Sequence, residues 1–269
     1  MHAVESTSKG GVEIDVWYRF TGMLPASELE ADVALLDASE LAQRNRFVFD
    51  ADRRDFTAAH GLLRRVLSRH RPIPPAAWRF ETSPHGKPSI APDQIGSPPL
   101  AFSLSHTKGL VACAAIEATE IGVDVESIDR AARDPHEIAA RYFSPLEIRE
   151  LESQPEDGRR ARFVEIWTLK ESYIKAIGLG LSRPLDSFAF QFGGDRALSF
   201  HGSASDNGSA WQFALFSVGD RCDYRLAVAV RASDGVPHRV IRLRDAGRPA
   251  GAAATLLHAS AHDARSAPR

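Results

Sequence analysis

Apolar and polar positions along this chain follow two periods, and each period appears twice. In GGVEIDVWYRF (10–20) and again in EIGVDVESI (120–128), every second residue is apolar, which predicts a strand with one buried face. In DRRDFTAAHGLLRRVLSRH (52–70) and RARFVEIWTLKESYIKAIG (160–178), apolar residues recur at helical spacing, which predicts two strong amphipathic helices. A loop with a basic residue and a proline follows each helix, GKPSI (86–90) and LSRPLDSF (181–188). Strands then close each half: LAFSLSHTKGLVACAAI (100–116) and WQFALFSVGDRCDYRLAVAV (211–230).

The same order recurs at similar spacing, so the chain reads as a duplicated α+β protein of two similar halves. We place the halves at 1–118 and 119–234, with a functional cleft between them. Residues 235–269 lose the pattern, are rich in Ala, Arg, Ser and Pro, and read as a flexible tail in which AGAAATLLHASAHDAR could form a weak helix. A further helix is predicted over SPLEIRELES (144–153), where Ser144 can cap, Pro145 suits the first turn and Glu147 stands three residues after the cap.

Composition narrows the class. With 43% hydrophobic and 25% charged residues in 269, the chain has the make-up of a globular protein. A formal net charge of −2 offers no basic excess for a nucleic-acid partner. Two cysteines, Cys113 and Cys222, both in apolar runs, read as small buried thiols and give no disulfide framework or cysteine zinc site. No apolar run approaches the roughly 20 residues that span a bilayer, and MHAVESTSKGG lacks the apolar core of a signal peptide. These features predict a cytoplasmic protein with no membrane association, and a cleft built by one chain predicts a monomer.

The candidate chemistry gathers in the second half. In the strand VDVE (123–126), Val123 and Val125 face one way and Asp124 and Glu126 the other, about 6–7 Å apart. Taken alone, this would be a solvated strand face. A third carboxylate, Glu171, lies on the strongest helix, with Lys175 on the same face at i+4 and Trp167 and Ile174 anchoring the helix to the core. Three carboxylates meeting at one point repel unless a cation stands between them, and hard oxygen donors without paired His or Cys suit Mg²⁺. Magnesium held this way keeps positions for phosphate oxygens, which implies phosphoryl-type chemistry on a diphosphate or triphosphate.

The first half would supply the rest of a phosphate site. Candidates are Arg53, Arg54, Arg64 and Arg65 on its helix, Lys87, and Ser105 and His106 at the end of FSLS. Arg64 and Arg65 read as a solvated face, Lys87 alone as a turn lysine, and His106 alone as a core histidine. Lys170 reads either as a phosphate contact or as a structural ion-pair partner.

Four pieces in this order, GKP (86–88), FSLSHT (102–107), GVDVE (122–126) and WTLKESYIKAIGLGL (167–181), resemble the 4'-phosphopantetheinyl transferases of the Sfp type. The resemblance covers about residues 40–190, and the duplicated α+β architecture is similar to that family's fold. It implies transfer of 4'-phosphopantetheine from coenzyme A to a serine of an apo acyl or peptidyl carrier protein, in the manner of a holo-[acyl-carrier-protein] synthase, with adenosine 3',5'-bisphosphate released. It implies that Asp124, Glu126 and Glu171 hold Mg²⁺ and that Lys175 contacts the pyrophosphate. It further implies that His106 with Ser105 binds the 3'-phosphate and that Lys87 lies by the adenine end. The proton of the serine would go to Glu171 or to a metal-bound water. The stretch SELAQRNRFVFDADRRDF (39–56) offers only Arg44, Arg46, Arg53 and Arg54, and the arginine that grips the coenzyme is Arg53 or Arg54. The segment 138–153 and the AIGLGLS turn are candidate docking surfaces for the carrier protein. A module that binds coenzyme A or a carrier protein without transfer is the alternative.

Overall fold

The computed structural model describes residues 13–82, 88–130, 135–202, 210–232, 239–247 and 254–260. The first half contains β1 (Glu13–Phe20), α1 (Ala26–Val33), α2 (Ala38–Arg44), α3 (Asp50–His70), the short hairpin β2 (Phe80–Thr82) and β3 (Pro88–Ile90), β4 (Leu100–Thr107) and β5 (Leu110–Glu117). The second contains β6 (Ile121–Ser127), α4 (Pro135–Tyr142), α5 (Pro145–Glu152), α6 (Glu156–Ile177), β7 (Ala189–Phe192), β8 (Ala197–His201), β9 (Trp211–Val218) and β10 (Tyr224–Arg231). Two further strands follow, β11 (Val240–Asp245) and β12 (Ala254–Ser260).

The duplication is visible in the sheets. One sheet runs β11-β1-β5-β4 and the other β6-β10-β9-β12-β8-β7. In each, the first strand of the half pairs with the second arm of the closing hairpin, antiparallel in both cases.

Burial explains the layering. Along β5, Leu110, Ala112, Ala114 and Ile116 enter a core shared with β1, β6, β9 and β10, while Val111, Cys113 and Ala115 pack under α3. Along β10, Leu226, Val228 and Val230 enter the same shared core, and Ala227 and Ala229 lie under α6. The layers are therefore α3, first sheet, second sheet, α6. Strands covered on both faces lose the apolar–polar alternation, which is why VACAAI and LAVAV are unbroken apolar runs.

The sequence predicts a tail after residue 234, and here the structure differs. β11 adds to the outer edge of β1 in parallel, and β12 inserts between β9 and β8. The predicted weak helix is a strand over 254–260. The expectation for Cys222 also fails: it is exposed with φ 57° in the turn after β9. Cys113 is buried, and its burial pushes the thiol far above its ordinary range. No described helix is long and apolar enough to cross a membrane.

Candidate active site between the two halves

The site lies where β4, the edge of the first sheet, runs beside β6, the edge of the second. Serine hydroxyls join them: Ser103 Oγ accepts from the Val123 N–H at 2.9 Å and Ser105 Oγ from the Val125 N–H at 3.3 Å. Val123 and Val125 are fully buried in the shared core, so the alternation turns Asp124 and Glu126 toward α6.

Gly122 lets α6 come close. A Cβ at this position would lie 1.8 Å from the Ser172 carbonyl oxygen and 2.5 Å from the Ala176 nitrogen. Only a residue without a side chain allows the helix to lie against β6 there. That contact places Glu171 and Lys175, one turn apart on one face of α6, over Asp124. The helix ends at Gly178, whose φ of 71° closes it in the left-handed conformation expected of the glycine-rich turn.

Asp124 is 3% exposed. Its Oδ1 accepts from Ser105 Oγ at 2.8 Å and from Lys175 Nζ at 2.6 Å. Lys175 also donates to Ser105 Oγ at 2.8 Å, so hydroxyl, ammonium and carboxylate form a closed triangle across the junction. The other oxygen of Asp124, Oδ2, is buried with no hydrogen-bond partner among the described residues. Such an atom has lost water and gained nothing, which is costly unless a further group meets it. Glu171 is half-buried, and its carboxyl is raised above the ordinary range, first by burial and then by Asp124, against the opposing pull of Lys175. Glu126 is half-buried on the same strand face, opposite Arg225 of β10.

The three carboxylates share this face but do not close on one point. Among the described residues, no group of three or more His, Cys, Asp or Glu side chains stands at metal-holding spacing. The cation that Asp124 meets is the Lys175 ammonium. Asp124 and Glu171 are near enough for the charge of one to raise the pKa of the other.

His106 stands at the end of β4, one residue beyond Ser105, with a solvent-facing edge at the rim of the site. The protein around the rest of its ring holds the imidazole below its ordinary range, and the charge of Lys175 adds to this. Of the two candidate arginines, Arg53 pairs with Asp50, while Arg54 is half-buried and its Nε has no hydrogen-bond partner among the described residues. Lys87 lies outside the described residues.

One of the two readings of Lys170 holds, and the expectation for Arg64 changes. Lys170 is wholly buried, pairs with Glu147 at 2.7 Å and donates to the carbonyls of Leu185 and Phe188, so it is a structural ion-pair partner. Arg64 is not on a solvated face: it is fully buried, with Nη2 on Glu40 at 2.5 Å and Nη1 on the Trp78 carbonyl at 2.7 Å. Arg65 is partly exposed and pairs with Asp32. Sequence reasoning missed the role of Asp55, which is buried and accepts from Thr21 Oγ1 and from the Gly109 N–H. An acid placed after two arginines and directly before an apolar helical face was the available signal.

The family model described as the 4'-phosphopantetheinyl transferase superfamily matches residues 120–229. A second model, described as the N-terminal part of a 4'-phosphopantetheinyl transferase, matches residues 25–118. The chain is 37% identical over 171 residues to the 4'-phosphopantetheinyl transferase HetI of a Nostoc species, covering 64% of this chain and 71% of that protein. It is 33% identical over 176 residues to the 4'-phosphopantetheinyl transferase Sfp of Bacillus subtilis, covering 65% and 75%. It is 26% identical over 250 residues to the L-aminoadipate-semialdehyde dehydrogenase-phosphopantetheinyl transferase of Rattus norvegicus, covering 87% of this chain and 79% of that protein.

Proposed function

Because the chain belongs to the 4'-phosphopantetheinyl transferase superfamily and is of the Sfp type, we propose a mechanism centred on the buried Asp124–Lys175–Ser105 triangle and the Glu171 carboxyl beside it. The enzyme transfers 4'-phosphopantetheine from coenzyme A to the serine of an apo carrier protein, releasing adenosine 3',5'-bisphosphate. The carrier protein brings the nucleophile, so this chain needs no catalytic serine or cysteine of its own.

The single observation that carries the mechanism is the half-satisfied carboxylate of Asp124. One oxygen is met by Lys175 and Ser105; the other is buried and unmet. The donor chemistry fits Mg²⁺: hard carboxylate oxygens, one of them an orphan, beside a second carboxyl whose ionisation Asp124 opposes. Asp124, Glu126 and Glu171 would hold the ion, which supplies neutralisation of pyrophosphate charge.

The chain's own residues do the rest. Lys175 stands next to that pyrophosphate position and can shift its ammonium from Asp124 to the phosphate oxygens. His106 at the rim, with Arg54 as the arginine whose Nε lacks an acceptor, holds the 3'-phosphate of the coenzyme. Glu171 takes the proton from the serine hydroxyl. The serine Oγ bonds to the phosphorus that carries the pantetheine arm, the bridging P–O bond breaks, and the bisphosphate leaves with the electron pair. A cleft completed by both halves of one chain is consistent with a monomer, and acyl and peptidyl carrier domains are the acceptor class.

The test is intact-protein mass spectrometry of an apo carrier domain incubated with this protein, coenzyme A and MgCl₂, with an EDTA control. A gain of one phosphopantetheine arm that disappears with EDTA is expected. Coenzyme A binding without transfer, on peptide-synthetase, polyketide and fatty-acid carriers alike, would mean a binding module instead.

A further inference from the structure

The hairpin that carries His106 turns at Lys108 and Gly109, with Thr107 paired to Leu110 and His106 to Val111. Gly109 adopts φ +90°, a conformation that a side chain would strain. A two-residue turn of this kind sets the direction of the residues it joins, so whatever fixes the turn also fixes the end of β4. Three elements hold it. The Gly109 carbonyl accepts from the Thr21 N–H at 2.9 Å, just past β1. The Lys108 carbonyl accepts from the Tyr224 hydroxyl of the second half at 3.2 Å. The Gly109 N–H donates to Asp55 Oδ2 at 3.2 Å, and Asp55 Oδ1 accepts from Thr21 Oγ1.

Asp55 is the only one of these partners whose side chain joins the turn both to α3 and to the end of β1. It is 3% exposed and Thr21 is 0% exposed, so their contact is shielded from water, while the one to Gly109 is partly buried. We infer that Asp55 is a positioning residue for the 3'-phosphate end of coenzyme A: its two-oxygen clamp on Thr21 and Gly109 holds His106 where that phosphate arrives. This rests on His106 contacting the 3'-phosphate, as proposed above.

Charge agrees with geometry. The groups acting on His106 are Lys175 from α6 and Asp55, Asp52 and His60 from α3. Asp55 and Asp52 favour the charged imidazole, whereas Lys175 and His60 oppose it. Burial chiefly lowers the imidazole, and Asp55, which fixes the turn beyond it, acts against that lowering. Being buried and hydrogen-bonded, it need not face the incoming anion itself.

The test compares coenzyme A with 3'-dephospho-coenzyme A as donors for the wild type, Asp55→Ala, Asp55→Asn, His106→Ala and the Asp55→Ala/His106→Ala pair. Asp55→Ala is expected to raise KM for coenzyme A about tenfold, with kcat within about twofold, and to leave KM for the 3'-dephospho donor unchanged. The double variant should be no worse than His106→Ala alone. Asp55→Asn, which can still meet both partners, should recover most of the preference. If Asp55→Ala does not fold, Asp55→Ser replaces it. Equal losses on both donors would reduce Asp55 to a structural residue and overturn the inference. So would a wild type that transfers from both donors equally well, because the 3'-phosphate contact would then be absent. Failure of the wild type to transfer from either donor would instead refute the proposed function.

Discussion

The ammonium of Lys170 and the carboxylate of Glu147 meet at 2.7 Å, and neither side chain is exposed to solvent. The pair joins the start of α5 to the middle of α6. Glu147 completes the capping box with Ser144 and also accepts from the Phe190 N–H at 3.0 Å. Lys170 is the residue directly before Glu171, so this buried pair sets the rotation of the helix that carries Glu171.

Removing one partner leaves a buried charge alone. Lys170→Ala is expected to destabilise the chain by about 3–5 kcal/mol. Lys170→Met with Glu147→Gln together should lose much less, because no unpaired charge remains. Urea unfolding of the two variants beside the wild type decides this. Equal losses in the single and paired variants would show that the ion pair does not govern this region.

Glu171 makes a prediction about pH. Its carboxyl is raised above the ordinary value of about 4.5 by burial and by Asp124, so above that pH the folded chain keeps a proton that the unfolded chain has released. The stability this contributes is fully present below about 4.5 and is lost as pH rises through the raised value. In metal-free buffer the wild type should therefore weaken across that window, while Glu171→Gln should not. The same variant should lose about 100-fold or more in kcat, as expected for a lost proton acceptor. Unfolding curves at a series of pH values in EDTA would show parallel behaviour if the carboxyl is not perturbed.

An ion bound only by the folded chain stabilises it in proportion to saturation, by about 2.7 kcal/mol at 100 times the dissociation constant. MgCl₂ should raise the melting temperature of the wild type and leave Asp124→Asn close to its metal-free value. Differential scanning calorimetry with and without MgCl₂ reads this directly. A full shift in Asp124→Asn would remove Asp124 from the set of ligands.

Gly122→Ala asks for a Cβ 1.8 Å from a helix carbonyl. The helix must move away, at a cost of about 1–3 kcal/mol or more. Because the same contact holds Glu171 and Lys175 over Asp124, activity should fall further than stability. A variant that is destabilised but keeps wild-type kcat would separate helix position from chemistry.

Much of this was readable in advance because the relevant patterns are local. The two long helices, the outward face of Asp124 and Glu126, and the Ser144–Glu147 cap each follow from period or spacing within one element. The losses came where partners lie far apart. Arg64 and Arg65 look alike in sequence, yet one helical step puts the first inside, against Glu40 from a different helix. Lys170 could not be placed without its partner 23 positions earlier, Glu147, since a buried and a solvent-facing lysine read alike. The strands after residue 234 were missed because VIRLRD is short and half charged and ATLLHAS has little bulk. Their stability comes from the neighbours they join.

Those strands also govern when the protein can fold. β1 obtains its outer neighbour only when Glu13 meets Val240, and β8 reaches β9 only through β12. A ribosome will have released nearly the whole described chain before either sheet has all its strands. Neither sheet is therefore complete when the half that supplies most of its strands has been made. Until residues 240–245 arrive, the outer edge of β1 is an unpaired strand edge, open to pairing with another chain.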